Sequence, residues 1–200
     1  MKIALITLSE PGARIIRRLK TVMPDASCFF HRSVPALHEG VRFDAIVDLT
    51  QEIFKFFSGL IYVAPCGVVV RAIAGCLFHK TVDPAVVCVD AGGRFAVSLL
   101  SGHEGGANDL AVRVANILGA EPVISTTTEA VKALTVGVGC RKGATSEAII
   151  AAVTQALEKT GASLDQVRYL ASADIKAKEM GLLEASRKLG IPLRLIPSDE

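Results

Sequence analysis

The chain has 200 residues, with 22 Lys and Arg against 20 Asp and Glu, half of its residues hydrophobic, 5% aromatic and no Trp. That balance gives no bulk charge for nucleic acid and no base-stacking platform, and no apolar run approaches the roughly 20 residues that span a bilayer. The five cysteines, Cys28, Cys66, Cys76, Cys88 and Cys140, are odd in number and never spaced C-x-x-C, which disfavours a zinc site or a disulfide framework and leaves them as packed small hydrophobes.

Taken in chain order, short apolar runs alternate with amphipathic stretches. Residues 2–8 predict a strand ending at Ser9-Glu10-Pro11-Gly12, without a signal-peptide pattern, so a cytoplasmic location is expected. A helix over 11–21 follows, then weaker strands at 27–31 and 44–48 and a helix over 50–57. Strands are predicted at 59–64, 85–90 and 94–100, and the helix over 106–118 is the clearest of all. Its stripe of Ala107, Leu110, Ala111, Val114, Ile117 and Leu118 ends at Gly119. After the short strand 122–124, a second strand–helix series begins. It has strands at 134–139, 166–171 and 192–196 and helices over 145–159 (capped by Thr145, stopped by Gly161) and 176–189, and ends at Pro197-Ser198-Asp199-Glu200. Such alternation predicts an α/β protein of two parallel-sheet domains, 1–130 and 131–200, the second of them small.

Four constellations carry candidate chemistry. Ser101-Gly102-His103-Glu104-Gly105-Gly106-Ala107-Asn108 turns a strand into a helix. Glycines there admit a ligand to the backbone, and helix-start N–H groups face it. His103 is a general acid or base candidate with Glu104 as its partner or the base itself, or the two form a surface pair beside a tight turn. In Pro65-Cys66-Gly67-Val68-Val69-Val70-Arg71, Arg71 either clamps a carboxylate at a strand carboxyl end or snorkels out of an apolar segment. The third stretch, 79–90, supplies the cation Lys80, a turn-forming Asp83 before Pro84, and Asp90 at a strand end facing the same cleft. In Gly137-Val138-Gly139-Cys140-Arg141-Lys142-Gly143, a glycine-rich loop carries two cations in the manner of an anion cradle, yet it matches no nucleotide fingerprint. Read from the residues, this is an α/β protein binding an anionic small molecule at strand carboxyl ends.

Three of these stretches occur together in one family. Gly67–Ala74, Lys80–Val87 and Ser98–Asn108 resemble the N-terminal region of the CbiG family, the cobalt-precorrin-5A hydrolases of anaerobic cobalamin biosynthesis. Val136–Gly143 and Ala171–Glu179 resemble the start of that family's C-terminal domain, shared with CobE-type proteins. The likeness runs from about residue 59 to the end. It departs from the family in lacking the linking middle region and in stopping near the midpoint of the C-terminal domain, which implies a truncated second domain.

The resemblance implies opening of the δ-lactone on ring A of the contracted macrocycle, then loss of the methylated meso carbon as acetaldehyde to give cobalt-precorrin-5B. His103 and Glu104 are the implied catalytic pair, with the Gly105 and Gly106 N–H groups as oxyanion donors. Arg71, Lys80, Arg141 and Lys142 are expected to receive the substrate's peripheral carboxylates, and Ser101, Gly102, Gly105, Gly106 and Asn108 to line the bound tetrapyrrole. Cobalt travels inside the substrate, so no protein cofactor or metal is expected. The expected partners are the cobalt-containing tetrapyrrole and either a second copy of the chain or, transiently, other enzymes of the pathway, but neither nucleic acid nor membrane. A non-catalytic corrinoid-binding or carrier protein is the alternative.

Overall fold

The computed structural model describes residues 1–198; Asp199 and Glu200, read above as the end of the second domain, lie outside the described residues. It divides into one unit, Met1–Ile124, and a second from Ser125 onward.

In the first unit, Ile3–Thr7 (β1) and Gly59–Val63 (β4) form the middle of a seven-stranded sheet. Ser27–His31 (β2) and Val41–Phe43 (β3) extend it on one side. On the other side come Ala85–Val89 (β5), Phe95–Leu100 (β6) and Glu121–Val123 (β7), giving the order β3-β2-β1-β4-β5-β6-β7. Central strands β1, β4 and β5 are buried at every position, as strands covered on both faces must be. Alternate residues serve opposite layers. Leu5, Ile61, Val63, Val87 and Val89 pack with Glu10–Val22 (α1) and Ala107–Leu118 (α4). Ile6, Leu60, Tyr62, Val86 and Cys88 pack with Ile46–Ile53 (α2) and Cys66–Ile73 (α3). Ser9 caps α1, its side chain accepting the Gly12 N–H at 3.3 Å.

Two local expectations are corrected. Residues 44–48 are not a strand: the strand is Val41–Phe43, and Ile46 already begins α2, whose buried Leu49, Thr50 and Ile53 recur at helical spacing. Residues 66–73, read as a turn and apolar segment, form α3, with Val69, Ala72 and Ile73 as its buried face. A third correction concerns direction. The pair β5–β6 is antiparallel, with Val86 opposite Leu100 and Val89 opposite Ala96. Only Asp90–Arg94 joins these strands, far short of the dozen or more residues a parallel crossover needs. Asp90 builds that turn, its carboxylate accepting the N–H groups of Gly92, Arg94 and Phe95 at 2.7–3.0 Å. Burial works against the ionised form, but these three donors hold the Asp90 carboxyl below its ordinary value.

In the second unit a short helix, Thr127–Ala130 (α5), precedes a parallel sheet of order β10-β9-β8. Its strands are Leu134–Gly137 (β8), Val167–Ala173 (β9) and Leu193–Ile196 (β10). The crossovers contain Ser146–Thr160 (α6) and Met180–Leu189 (α7), which close a core of Ile149, Val153, Leu157, Leu170, Leu182 and Leu193. Thr145 caps α6, its hydroxyl accepting the Ala148 N–H at 3.3 Å, and Gly161 in the left-handed region ends it. Among the described residues no helix is long and apolar enough to cross a membrane.

Candidate functional site

The reversal at β5–β6 decides where the site lies. Because β6 runs against β4 and β5, its last residue, Leu100, stands beside Val86 and hence near the amino ends of the parallel strands. The turn from Ser101 to Gly106 therefore sits at the amino edge of the sheet, not at the carboxyl ends where Asp90 and the start of α3 lie. This corrects the expectation of a single cleft at strand carboxyl ends: the first unit's expected residues divide between two opposite edges.

At the amino edge the chain is held in an unusual conformation. Among the described residues, Ser101 is the one non-glycine with a left-handed backbone, at φ 56°. It is buried, and among the described residues its hydroxyl has no hydrogen-bond partner. Its carbonyl accepts the N–H groups of Gly105 and Ala107 at 3.1 and 3.2 Å, and the Gly102 carbonyl accepts that of Asn108 at 3.0 Å. Gly105 must be glycine: a Cβ there would lie 2.4 Å from the Ser101 Cβ and 3.3 Å from the Asp83 carbonyl oxygen. Gly106 takes φ 81° at the start of α4. Buried Asn108 accepts the Ser98 hydroxyl at 2.8 Å. One role is corrected here, because the Gly105 N–H is already spent on Ser101 and is not free for an oxyanion. The Gly106 N–H has no acceptor among the described residues.

His103 and Glu104 project from this turn and both are exposed. Glu104 is not bonded to His103; its Oε1 lies 2.7 Å from the Lys80 ammonium. That hydrogen bond holds the Glu104 carboxyl below its ordinary value and pushes Lys80 up. The Lys80 loop, between α3 and β5, is fastened beneath by buried Asp83, whose two carboxylate oxygens accept the Phe78 N–H at 3.1 Å. Phe78 and Val82 on this loop are exposed, at 81% and 68%. An imidazole, an ion pair and exposed apolar side chains thus share one edge, a combination suited to a flat apolar ligand with anionic groups at its rim. Phe78 and Val82 escaped sequence reading because nothing in their neighbours says that an apolar residue in a loop stays uncovered.

Arg71 stands apart from that group. It lies in the last turn of α3, and its guanidinium donates back to the Gly67 carbonyl at 3.1 Å, toward the helix start and the carboxyl edge. That edge also holds a cavity of about 360 Å³ lined by Ala64, Pro65, Cys66, Asp90, Phe95 and Val97. Arg141 and Lys142 belong to the second unit, exposed in the loop after β8, and neither is ion-paired among the described residues. The cradle expected around them is partly filled from within, since the Gly143 N–H donates to Glu179 Oε1 at 2.8 Å. Among the described residues no group of three His, Cys, Asp or Glu side chains could hold a metal ion.

Fold and site define a class: a doubly wound α/β unit with a glycine-rich strand–turn–helix site, followed by a small parallel α/β unit. The model of the cobalamin synthesis G N-terminal domain matches residues 48–129, and that of the cobalamin synthesis G C-terminus matches residues 134–200. The chain belongs to the CbiG family. It is 39% identical over 129 residues to a cobalt-precorrin-5A hydrolase of Salmonella typhimurium, covering 64% of this chain and 36% of that protein. It is 33% identical over 143 residues to a cobalt-precorrin-5A hydrolase of Priestia megaterium, covering 66% of this chain and 37% of that one. These matches thus take in little more than a third of the relatives' length. A solved structure described as a cobalamin biosynthesis protein G homolog from Sulfolobus solfataricus aligns with TM-score 0.46 at 18% identity, covering 100% of this chain and 81% of that one.

Proposed function

We propose that this chain hydrolyses the δ-lactone of cobalt-precorrin-5A and releases acetaldehyde, and that the chemistry takes place at the amino-edge turn of the first unit. The observation that carries the placement is Ser101, held left-handed and buried two positions before His103, its hydroxyl without a partner among the described residues. A backbone held this way is retained where the surroundings over-determine it, typically at functional sites. The relatives named as cobalt-precorrin-5A hydrolases supply the reaction.

In this reading His103 accepts a proton from water as the water attacks the lactone carbonyl. The Gly106 N–H and the Lys80 ammonium stabilise the oxyanion, and collapse opens the ring to a carboxylate. The alkoxide freed by ring opening becomes the carbonyl of acetaldehyde as the carbon–carbon bond breaks, and His103 returns its proton to the macrocycle carbon that keeps the bonding pair. Glu104 acts through Lys80, fixing the ammonium over the turn. Ser101, Gly102, Gly105 and Asn108 shape the bed on which the macrocycle lies, with Phe78 and Val82 against its apolar face. Arg71 is left out, because its guanidinium is directed toward the other edge. Cobalt enters as part of the substrate, and the protein needs no metal of its own.

Incubating the chain with cobalt-precorrin-5A and assaying acetaldehyde tests the reading. Stoichiometric excess of acetaldehyde over protein is the expected result. Corrinoid binding without acetaldehyde would refute it and leave a carrier.

A further inference from the structure

We propose that Cys66 and Cys88 form a peroxide-sensitive thiol pair that closes to a disulfide. The pair arises from the strand register. Cys88 lies in β5 alongside Tyr62 of β4, and the chain leaves β4 through Ala64-Pro65 to place Cys66 at the first position of α3. The chain thereby folds Cys66 back over the neighbouring strand, and the two sulfurs come to 3.4 Å, the Cys66 thiol donating to the Cys88 sulfur. Formation of a bond of about 2.04 Å requires the sulfurs to close by about 1.4 Å. Cys66 is exposed and opens the first turn of α3, so its side chain has room to make that movement. Cys88 is 1% exposed, and its thiol donates to the Ala64 carbonyl at 3.0 Å.

This asymmetry orders the chemistry. A peroxide reaches Cys66 at the surface, whereas Cys88 is shielded by the sheet. Burial, reinforced by Cys66 and Asp90, keeps Cys88 in its thiol form. The Cys66 thiolate attacks the peroxide and becomes a sulfenic acid, with hydroxide leaving. The Cys88 sulfur then attacks the sulfenic sulfur, and water leaves with the Cys88 proton. Overall two thiols and one hydrogen peroxide give one disulfide and two waters. The product ties the first turn of α3 to β5 at the mouth of the carboxyl-edge cavity, which Cys66 itself lines. The inference stands independently of the proposed hydrolase activity, because nothing in it uses the amino-edge turn.

Trypsin separates the cysteines in a way that makes the test direct. Cleavage after Lys55, Arg71, Lys80 and Arg94 puts Cys66 on peptide 56–71, Cys76 on 72–80 and Cys88 on 81–94. After treatment of the folded, full chain with one to a few equivalents of hydrogen peroxide, non-reducing digestion should yield 56–71 joined to 81–94. Dithiothreitol should release it, and Cys28, Cys76 and Cys140 should remain free. In Cys88→Ser, dimedone should trap a sulfenic acid on Cys66 that the parent chain does not accumulate. In Cys66→Ser, Cys88 should stay reduced at the same dose. Absence of the joined peptide, or dimedone labelling of Cys66 in the parent chain to the level seen in Cys88→Ser, would overturn the proposal. Cys66 is exposed, so its serine variant should retain the fold, with near-wild-type circular dichroism as the check.

Discussion

Ser101 carries two burdens that a protein selected for stability alone would shed: a left-handed backbone on a residue with a Cβ, and a buried hydroxyl without a partner among the described residues. Ser101→Gly removes both. It should raise the free energy of unfolding by about 1 kcal/mol, read from the urea midpoint, because strain relief exceeds the entropy that glycine adds to the unfolded chain. A lower midpoint would mean the serine is structurally required. Next to it, Lys80 sets the titration of Glu104. A carboxyl held below its ordinary value of 4.5 stabilises the fold above that pH, and the contribution fades as pH falls through the depressed value. Carbon-detected NMR titration of Glu104 should give a midpoint below 4.5 that returns toward it in Lys80→Ala. An unmoved midpoint would show that the ion pair does not form in solution. At this scale the sequence was informative about identity and poor about direction. Glu104 is in contact with Lys80, and His103 is its neighbour in the chain. The partner of Glu104, however, is a lysine more than twenty positions earlier, and only the fold brings them together. The same holds for Cys66 and Cys88, read singly as packed hydrophobes.

At the level of elements, the strongly periodic segments were legible and the β-branched ones were not. The stripe on α4 and the Thr145 cap with Gly161 stop on α6 are local signals, and the structure uses them as such. Val68-Val69-Val70 and Ile46-Val47 resemble strands by composition, yet burial at Val69, Ala72 and Ile73, and at Leu49, Thr50 and Ile53, follows a helix. Tertiary packing overrides intrinsic preference in both cases. The antiparallel β6 was readable in principle from the short Asp90–Arg94 link. That short link decides which edge of the sheet carries the turn. In the second unit, α7 is held by Leu182, fully buried in a small core. Leu182→Ala should destabilise that unit by about 2–5 kcal/mol. Hydrogen exchange should accelerate across β8–β10, α6 and α7 while β1, β4 and β5 keep their protection, since their core residues belong to other clusters. Equal acceleration in β1, β4 and β5 would show that the two units open together.

Across the whole molecule, two hydrophobic clusters, one on each face, cover the large sheet while a separate core closes the small one. The opposite edges of the large sheet carry different chemistry. One bears the strained turn, the imidazole and the Lys80–Glu104 pair; the other bears an apolar cavity and the two close thiols. The central claim is that the amino edge does the hydrolysis, so the decisive measurement is acetaldehyde release from cobalt-precorrin-5A by the wild type, His103→Ala and Arg71→Ala. The account predicts a rate about 10²–10⁴-fold lower for His103→Ala, the usual contribution of a positioned proton-transfer group, with Arg71→Ala close to wild type. Full activity in His103→Ala, or a loss confined to Arg71→Ala, would contradict it.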